Sequence, residues 1–485
     1  MRILLATSEL YPYSKTGGLA DMVAALGKTL ARQGHKVGVV TPLYGPILQK
    51  AGELGLERMD WNLTLMLDWR TVQGSVWYLN KDGQDIYFIG QQELFNRSGI
   101  YQENGHDYFD NPERFIFFSK AVENLAMYLP WQPEMVHVHD WQTSLVPLLL
   151  THSMESGKLK RAVGTCLTIH NLAYQGVYAS SVFAMANLPW GYFGPSGSEF
   201  YGNFNFLKTG IVFSDKLTTV SPQYAKEIQG QEYGANLNGV LNQRQNDLVG
   251  ILNGADYDVW NTEKNPALKY SYSLKNMSGK AKNKQALQEK LGLPQNPQIP
   301  LLGNIGRMAE QKGIDILIPA LEDMLAGDIQ FVCLGSGSAK YEEQVNQLRA
   351  QYPDKVAVYI GYNNELAHQI TAAADFFLMP SRYEPCGLNQ MYSLRYGTLP
   401  IVRATGGLVD SVIDPSESVQ EADGFKFTNY NSNHLARTIL KAMAVYYSPE
   451  KFKLMRSNAM KADFSWDVTA KKYTAVYESI FRKVT

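Results

Sequence analysis

The chain has 485 residues, of which 45% are hydrophobic and 19% are charged, and its formal net charge is −1. This length suits about two or three domains, and the balanced charge excludes the basic surface typical of proteins that bind nucleic acid or anionic membranes. No apolar run approaches the ~20 residues that span a bilayer, and the three widely spaced cysteines are typical of a reducing compartment. We therefore expect a cytoplasmic protein, or one of a plastid-type stroma whose transit peptide has been removed, without nucleic-acid or membrane partners.

The chain is predicted to open with a strand, a glycine loop, a helix and a second strand. Residues 3–7 and 37–40 are apolar runs of the buried-strand type, and the helix between them extends to about residue 33. The loop before the helix reads K-T-G-G-L, in which Lys15 precedes Gly17 and Gly18. Adjacent glycines let a ligand approach the backbone, their N–H groups at a helix start suit a phosphate, and Lys15 adds a positive charge. The alternative is a flexible loop with a surface lysine.

Polar residues follow three further predicted strands of this half. The run 135–139 ends in His139-Asp140, the run 166–169 is followed by His170-Asn171, and the run 249–252 is followed by Asn253. Polar residues at the carboxyl ends of parallel strands point into the ligand crevice of an α/β sheet. Either histidine alone could be structural, but both together with K-T-G-G-L favour a binding site.

A D-x-D pair, Asp256 and Asp258, follows this half. In some nucleotide-sugar enzymes such a pair holds a divalent metal. Here it follows a turn, it precedes Trp260, and the sequence suggests no third ligand. We interpret the pair as a structural turn.

The second α/β half is predicted to begin after a polar, irregular stretch, residues 264–283, which looks like a linker, and a helix at 284–291. Its first strand, residues 301–305, is followed by Arg307 and Lys312, and a helix starts at Ile314. Two cations near a helix N-terminus form a suitable site for a diphosphate. The alternative is a pair of solvated cations.

The stretch 381–397 follows an apolar strand-type run, residues 374–379. It places the carboxylate of Glu384 and a glycine turn before a helix that is predicted to start at Leu388. Ligands bind at such positions in open α/β sheets, and backbone N–H groups at the helix start can hold hydroxyls or an anion. The alternative is an N-cap turn in which Glu384 is a solvated first-turn acid. Farther on, the T-G-G-L loop at 405–408 repeats the first glycine loop and again precedes a helix.

These elements predict an α/β protein with two Rossmann-like halves, each containing a glycine-lined loop of the phosphate-binding type. Ligand pockets favour domain interfaces. We therefore expect the active site in the cleft between the two halves.

The motifs resemble those of the bacterial and plant glycogen and starch synthases over nearly the whole chain. The shared segments are K-T-G-G-L-A-D (15–21), H-V-H-D-W-Q (137–142), H-N-L-A-Y-Q-G (170–176), S-P-Q-Y-A (221–225), L-N-G-A-D (252–256), G-R-M-A-E-Q-K-G (306–313), S-R-Y-E-P-C-G-L-N-Q (381–390), Y-G-T-L-P (396–400) and T-G-G-L-V-D (405–410). K-T-G-G-L together with E-P-C-G-L is highly specific. The resemblance implies the GT-B architecture of two facing Rossmann-like domains, with residues 1–253 on the acceptor side, 254–465 on the donor side, and a final helix in 466–485 that returns to the first domain.

The resemblance also implies an activity: transfer of glucose from ADP-glucose to the non-reducing end of an α-1,4-glucan, with the anomeric configuration retained and without a metal cofactor. The implied ligands are ADP-glucose or ADP, and glycogen, amylose or a malto-oligosaccharide. Which glucan is the product, and whether ADP-glucose is preferred over UDP-glucose, does not follow from the residues themselves.

The resemblance assigns roles residue by residue. The implied catalytic residues are Glu384, His170, Arg307 and Lys312. The implied donor-binding residues are Lys15, Gly17, Gly18, Asn253, Arg307, Lys312, Tyr362, Cys386, Gly387 and Leu388. The implied acceptor-binding residues are Asp21, His139 and Asp140.

Two positions depart from the pattern. Asn389 stands where many relatives have threonine, which leaves a phosphate contact there open. Tyr392 stands where animal and fungal relatives have a second glutamate, which argues for the bacterial and plant group. Only Glu384 is a carboxylate at a convincing place, so two carboxylates for a double displacement are not indicated. We favour departure and attack on the same face of the sugar, with cations stabilising the charge on the leaving phosphate.

Alternatives from other classes remain open at this point. They are a pyridoxal-phosphate-dependent glucan phosphorylase, a nucleotide-sugar epimerase, a non-catalytic glucan-binding protein and an NAD-dependent oxidoreductase. The oxidoreductase is disfavoured because neither glycine loop reads G-x-G-x-x-G.

Overall fold

The computed structural model describes residues 1–481, and the chain folds into two compact units. Unit 1 contains Met1–Val220, Ala225–Gly254 and residues 466–481 of the described chain. Unit 2 contains Ser221–Tyr224 and Ala255–Ser465. Residues 482–485, the end of the predicted final segment, lie outside the described residues.

The secondary structure up to residue 250 is rich in strands. In chain order the strands β1 to β14 are Arg2–Ala6, Lys36–Pro42, Glu57–Leu67, Arg70–Lys81, Gln84–Gly90, Gln102–Glu103, His106–Asp107, Met135–His139, Gly164–Ile169, Val177–Ala179, Glu199–Phe200, Asn203–Asn205, Lys216–Thr219 and Leu248–Gly250. The helices α1 to α9 are Gly18–Arg32, Gly45–Gln49, Ala51–Leu54, Gln92–Phe95, Asn111–Tyr128, Val146–Glu155, Phe206–Phe213, Pro222–Glu227 and Asn238–Gln243. Short 3₁₀ helices lie at Trp141–Thr143, Ser180–Ala186 and Trp190–Phe193.

The remaining elements alternate strands with helices. The strands β15 to β20 are Leu301–Ile305, Gln330–Gly335, Val356–Ile360, Phe376–Met379, Leu399–Arg403 and Phe425–Phe427. The helices α10 to α18 are Ser278–Lys290, Ile314–Met324, Ala339–Gln351, Asn364–Ala373, Asn389–Arg395, Gly407–Ser411, Ser432–Tyr446, Pro449–Lys461 and Trp466–Phe481. A 3₁₀ turn, Glu310–Lys312, precedes α11.

The main sheet of unit 1 has nine strands in the order β14-β13-β9-β8-β1-β2-β5-β4-β3. It is parallel from β14 to β5, and β4 runs antiparallel to both β5 and β3. From β1 the chain proceeds to β2 on one side and later to β8 on the other. The strand order therefore reverses between β1 and β8, and the carboxyl ends of these two strands mark the ligand-binding edge of such a sheet.

Unit 2 contains a six-stranded parallel sheet in the order β17-β16-β15-β18-β19-β20. Numbered within the unit this is 3-2-1-4-5-6, the Rossmann order. The order reverses between β15 and β18, so the segments that follow Ile305 and Met379 lie at the ligand-binding edge. These are the segments that contain Arg307 and Glu384, as the sequence predicts.

The central strands form because they are short, mainly apolar runs that are buried on both faces. All four residues of β18 are buried, as are all five of β8. Strands covered by helices on both faces of a parallel sheet have this composition, in contrast to the alternating pattern of a half-exposed strand. Such runs were recognisable in the sequence, and the predicted central strands are confirmed to within a few residues.

The predicted linker at 264–283 is corrected by the structure, because helix α10 already begins at Ser278. Its buried face consists mainly of polar residues: Gly279, Lys280, Asn283, Lys284, Leu287 and Gln288. This face is helical in spacing but not apolar, so hydrophobic periodicity could not reveal it. Lysine stems bury their methylenes while their ammonium groups find partners. The Lys280 Nζ donates to the Ala372 carbonyl at 2.9 Å and to the Thr398 hydroxyl at 2.6 Å.

A buried ion triad joins α10 to the start of β18 and to α17. The Lys284 Nζ lies 2.7 Å from one oxygen of Asp375, and the Arg456 Nη2 lies 2.7 Å from the other. The Asp375 carboxylate also accepts the N–H of Leu301 at 3.0 Å. Burial alone would raise the pKa of Asp375, but the charges of Lys284 and Arg456 outweigh burial and hold this pKa below its ordinary value.

Replacing Asp375 by asparagine is expected to lower the free energy of unfolding at pH 7 by about 3–5 kcal/mol, because two cations would stay buried without their carboxylate. The Asp375 pKa is depressed, so its stabilisation is complete above the unfolded-state value of about 3.9 and disappears as the pH falls through the folded-state value. The difference between variant and wild type should therefore shrink in acid. Urea unfolding followed by tryptophan fluorescence at several pH values measures this.

A matched control for this prediction is Glu365→Gln. Glu365 pairs with Lys290 at 3.8 Å, with both side chains largely exposed. Its loss should cost less than about 1 kcal/mol. Equal losses for the two variants, or an Asp375 effect that does not depend on pH, would contradict the stabilising role of the triad.

The final helix, α18, packs in unit 1 against α1 and β9. The Arg32 Nη2 lies 2.6 Å from Oδ1 of Asp467, and the Tyr477 hydroxyl lies 2.8 Å from Nδ1 of His137. Tyr473 and Tyr477 are both fully buried. Residues 1–481 include no helix long and apolar enough to cross a membrane.

Candidate active site

The glycine loop of unit 1 is held by a buried carboxylate that the sequence did not suggest. Glu9 is 3% exposed, and its Oε2 accepts the N–H groups of Thr16 and Gly17 at 2.5 and 3.1 Å. Its Oε1 accepts the hydroxyls of Thr16 and Tyr101 at 2.5 and 2.7 Å. The Gly17 N–H thus already has an anionic partner in this structure, and its contact with the donor stays a prediction.

The space around the two glycines is open. A Cβ added at Gly17 or Gly18 would meet no atom within 4 Å, and Gly17 has an extended backbone with φ −149°. The protein itself therefore does not require glycine at either position. Small residues without a steric neighbour are expected where a ligand comes close to the chain.

Lys15, beside these glycines, forms an exposed ion pair with Asp21. The Lys15 Nζ lies 2.7 Å from Oδ2 of Asp21, and the two side chains are 44% and 36% exposed. Pairs of this kind contribute little stability, so Lys15 can exchange its partner for a ligand anion at small cost. Asp21, predicted on the acceptor side, is in the first turn of α1.

The carboxyl ends of β8 and β9 bring His139, Asp140 and His170 together. The N–H of His170 donates to Oδ1 of Asp140 at 2.8 Å, and Nε2 of His170 lies 3.1 Å from Nδ1 of His139. Asp140 has φ 56°, a left-handed conformation that is uncommon for a residue other than glycine and is concentrated at functional sites. Burial raises the pKa of Asp140 to about 7, against the lowering effect of the N–H groups of His170 and Asn171.

The burial of His139 does not fit its predicted role as an acceptor-binding residue. Its side chain is 0% exposed, so it cannot contact an acceptor glucan. His170 is half-buried, and its Nδ1 has no hydrogen-bond partner within residues 1–481. The two histidines looked equivalent in the sequence, because each ends a strand.

Asn253, which follows β14, has a buried Oδ1 without a hydrogen-bond partner in the described part of the chain. Buried polar atoms are nearly always satisfied, so an unsatisfied one needs an explanation. A ligand hydroxyl is the partner that its predicted role supplies.

In unit 2, the predicted phosphate-binding lysine is paired with the predicted carboxylate. The Lys312 Nζ lies 2.9 and 2.7 Å from the two oxygens of Glu384, and the Ser381 hydroxyl donates to Oε2 at 2.9 Å. The Glu384 side chain is 8% exposed and that of Lys312 is 26% exposed. Glu384 is thus neither solvated nor an N-cap acid, which corrects that alternative. The positive charge of Lys312 is largely compensated by Glu384.

Arg307 contributes an uncompensated positive charge at this edge. It is exposed, and its Nη2 donates to the neutral Oε1 of Gln311 at 2.7 Å. No carboxylate pairs with Arg307 within residues 1–481. An exposed guanidinium at a sheet edge, with several free donors, is suited to bidentate binding of a phosphate.

The turn that contains Glu384 is fastened from two sides. The Gln390 Nε2 donates to the carbonyls of Cys386 and Gly387, each at 3.0 Å. The N–H of Gly407 donates to the carbonyls of Glu384 and Pro385, each at 3.1 Å. A Cβ at Gly407 would come within 2.1 Å of the Cys386 carbonyl oxygen, so glycine is required for this approach. The loop 405–408 therefore supports the Glu384 turn, and its reading as a second phosphate-type loop stays a prediction.

The predicted donor-binding turn 386–388 presents backbone donors. Cys386 is buried, whereas Gly387 and Leu388 are half-buried. In the described part of the chain no acceptor pairs with the N–H of Gly387 or Leu388. The Asn389 Nδ2 donates to the Ile305 carbonyl at 2.9 Å, which ties this turn to the end of β15. Asn389, which stands where many relatives have threonine, thus forms a structural hydrogen bond within unit 2.

Two aromatic residues of unit 2 lie apart from this network. Tyr362, predicted near the adenine, follows β17 and is 87% exposed. Tyr392 stacks on Trp260, with ring centroids 4.0 Å apart and an interplanar angle of 4°. Tyr392, which stands where animal and fungal relatives have a second glutamate, therefore has a packing role.

The D-x-D pair forms a turn, as predicted. The Asp256 Oδ1 accepts the N–H of Asp258 at 3.0 Å and that of Val259 at 3.4 Å. Among residues 1–481 no group of three or more His, Cys, Asp or Glu side chains is arranged to hold a metal ion.

Known proteins resemble the chain along its full length. The family described as "Starch synthase catalytic domain" matches residues 2–243, and that described as "Glycosyl transferases group 1" matches residues 283–461. Glycogen synthases of Anaeromyxobacter sp. and Cellvibrio japonicus are each 44% identical, with 99% of both chains covered. The catalytic domain of starch synthase IV from Arabidopsis thaliana, solved with ADP and acarbose, superposes with a TM-score of 0.87 at 32% identity, with 99% of both chains covered. A sucrose-phosphate synthase from Thermosynechococcus elongatus, 17% identical with a TM-score of 0.60, shares the fold.

Fold and comparisons together define a glycosyltransferase of the GT-B class. Within that class the chain belongs to the family of starch and glycogen synthases. The predicted fold class, the glycosyltransferase activity and the family resemblance are confirmed. The phosphorylase, epimerase, binding-protein and oxidoreductase alternatives are set aside.

Proposed function

We propose that the protein transfers glucose from ADP-glucose to the non-reducing end of an α-1,4-glucan, with the anomeric configuration retained. The observation that carries this proposal is the arrangement at the β15–β18 switch point. There the paired Lys312 and Glu384 and the uncompensated Arg307 follow neighbouring strands of one sheet. A cationic group for a diphosphate and a carboxylate for a sugar are what a nucleotide-sugar donor requires.

Arg307 and Lys312 are proposed to stabilise the leaving diphosphate. Negative charge grows on that group as the glycosidic bond to glucose breaks, so cations fixed in advance act where charge develops. Arg307 has no carboxylate partner to give up before it binds the phosphate. The Lys312 ammonium group is proposed to donate hydrogen bonds to Glu384 and to the phosphate at the same time. The adenine nucleotide is supported by the ADP bound to the starch synthase IV domain.

Glu384 is proposed to orient the glucose and to favour positive charge at its anomeric carbon. The Lys312 and Ser381 bonds fix the carboxylate. Retention by double displacement needs two carboxyl groups about 5–5.5 Å apart. In the sequence only Glu384 is a carboxylate at a suitable place, so the proposed course is one in which the acceptor hydroxyl attacks on the face from which the diphosphate leaves, without a covalent intermediate.

The remaining donor contacts are proposed to come from Lys15, Gly18, Asn253, His170, Tyr362 and the turn 386–388. Asp21 and Asp140 are proposed on the acceptor side. The glucan acceptor is supported by the glycogen synthases among the relatives. No metal cofactor is proposed, since cations of the chain supply the charge.

One assay tests donor, acceptor and metal independence together. Radiolabelled glucose should pass from ADP-glucose into a malto-oligosaccharide or glycogen primer, with ADP released in equal amount, and UDP-glucose should be the poorer donor. Turnover should be unchanged in EDTA. The new linkage should be α by NMR of the product.

Three results would contradict the proposal. Turnover that is abolished by EDTA and restored by magnesium or manganese would show that a metal, and not Arg307 with Lys312, neutralises the diphosphate. Preference for UDP-glucose would overturn the donor. A β linkage would overturn retention.

A further inference from the structure

The carboxyl ends of β8 and β9 hold two imidazoles in direct contact. Nδ1 of His139 and Nε2 of His170 are 3.1 Å apart, which is hydrogen-bonding distance. The backbone N–H of His170 is fixed on Asp140 at 2.8 Å. The other ring nitrogen of His170, Nδ1, has no hydrogen-bond partner within residues 1–481, and it is not one of the fully buried unpaired atoms.

Both imidazoles are neutral at physiological pH. Burial lowers the pKa of His170 to about 3, and burial together with the neighbouring histidines lowers the pKa of His139 well below its ordinary value. A neutral imidazole has one N–H and one bare nitrogen. The His139–His170 bond therefore has one donor and one acceptor, and choosing the donor fixes the tautomer of both rings.

The surroundings of His139 decide which ring donates. Nε2 of His139 is buried and has no hydrogen-bond partner in the described part of the chain. If His170 donated, the only proton of His139 would be on this Nε2, as a buried N–H without an acceptor. Orphaned buried N–H groups are rare and costly. If His139 donates from Nδ1, its unpaired Nε2 carries a lone pair and no proton.

The neighbours of His139 hold its ring and do not offer it another partner. The His137 ring lies 4.1 Å from that of His139, centroid to centroid. Both nitrogens of His137 are engaged, with the Tyr477 hydroxyl at 2.8 Å and the Thr168 hydroxyl at 2.6 Å. Tyr477 of α18 thus fixes His137, and His137 packs on His139.

We propose that His139 is a positioning residue that donates its Nδ1–H to Nε2 of His170 and thereby makes His170 a permanent Nδ1–H donor toward the glucose of the substrate. This inference rests on the proposed function, which places His170 at the donor glucose. A hydrogen-bond donor at that position selects an oxygen acceptor, such as a sugar hydroxyl oxygen. The opposite tautomer would present a bare nitrogen, which would require the sugar to donate.

The direct test is the tautomer of His170 in the full-length protein. Long-range ¹H–¹⁵N spectra of histidine-labelled protein distinguish a protonated Nδ1 from a protonated Nε2, and the signals are assigned by their loss in His139→Asn and His170→Asn. The expected result is a neutral His170 with the proton on Nδ1. A proton on Nε2 of His170 would overturn the inference.

Kinetics provide a second test. The amide nitrogen of asparagine can replace a histidine Nδ1–H, so His139→Asn should keep most of the turnover. His139→Leu removes the donor, and turnover should fall about 100-fold, as expected when a positioned group loses its alignment. ADP binding, measured by calorimetry, should be unchanged in both. His152→Leu, on α6 outside this cluster, is the matched control and should behave as the wild type.

The outcomes separate this inference from the proposed function. If His170→Leu impairs turnover but His139→Leu does not, the positioning role of His139 is wrong while the function stands. If His170→Leu turns over like the wild type, the role of His170 in the proposed function fails. Equal losses in His139→Asn and His139→Leu would show that packing, and not the donated proton, is what His139 supplies.

Discussion

Replacing Glu384 by glutamine is expected to lower kcat by about 10²–10³-fold while ADP affinity stays nearly unchanged. Glutamine keeps the shape and one acceptor oxygen but removes the negative charge that we propose faces the anomeric carbon. That charge is most valuable in the transition state, where positive charge develops, so kcat falls and ground-state binding does not. Steady-state kinetics with ADP-glucose and calorimetry with ADP measure the two effects separately.

The hydrogen bonds of Glu384 indicate how the glutamine variant will differ from the wild type. Lys312 contacts both carboxylate oxygens, so glutamine directs an NH₂ group at an ammonium group unless the side chain turns. Lys312 is partly exposed and can be solvated, so the variant should remain folded. Glu384→Asp moves the carboxylate by ~1 Å and should also lose rate. Glu365→Gln is a suitable control, because Glu365 lies on the exposed surface of α13.

Two results would contradict the role of Glu384. A Glu384→Gln enzyme with normal kcat would reduce the carboxylate to an anchor for Lys312. Mass spectrometry of the enzyme held with ADP-glucose, without acceptor, tests the other possibility. A glucosyl adduct on Glu384 would make it a nucleophile and would replace the same-face mechanism by a double displacement.

Replacing Arg307 by alanine is expected to slow turnover by about 10²–10³-fold, the usual loss when one charge-stabilising group is removed. The thermal midpoint should not change, because within residues 1–481 the side chain of Arg307 is hydrogen-bonded only to the neutral Gln311. Arg307→Lys should recover part of the rate, since it restores the charge without the bidentate geometry. Single-turnover measurements report the chemical step, and circular dichroism confirms the fold.

Lys312→Ala gives an informative comparison. Its turnover should fall in the same range, but it also leaves the buried Glu384 without its cation, so this variant should lose stability where Arg307→Ala does not. Arg349→Ala, an exposed arginine of α12, is the matched control for loss of one surface charge. Wild-type turnover of folded Arg307→Ala would refute the proposed contact with the diphosphate.

The sequence was sufficient for the strands that build the two sheets and for the segments that follow them. Buried parallel strands are short apolar runs, and the polar residues after them must lie at the carboxyl edge of the sheet. Arg307 and Glu384 were therefore predictable as members of one edge.

Other features depend on partners distant in sequence. Asp375 lies within an apolar run, and its cations are 91 and 81 residues away. Glu9 gives no sign that its carboxylate will occupy the N–H groups of the glycine loop. His139 and His170 end adjacent strands in the same way, and only packing by His137 and α18 separates the buried histidine from the half-exposed one. Helix α10 was missed in part because its buried face is made of lysine and amide side chains.

The position of α18 also affects biosynthesis. Unit 1 is assembled from chain on both sides of Ala255–Ser465, so a ribosome completes every residue of unit 2 before it begins Trp466. The usual order, in which the N-terminal domain folds first during translation, is therefore reversed for the last step. Until α18 is made, His137 lacks its Tyr477 hydroxyl, and the β9 surface at Gly164 lacks its cover of Ile480. From the synthesis of β9 until that of α18 the nascent chain thus displays an apolar patch of its nine-stranded sheet, which is the kind of surface that chaperones bind.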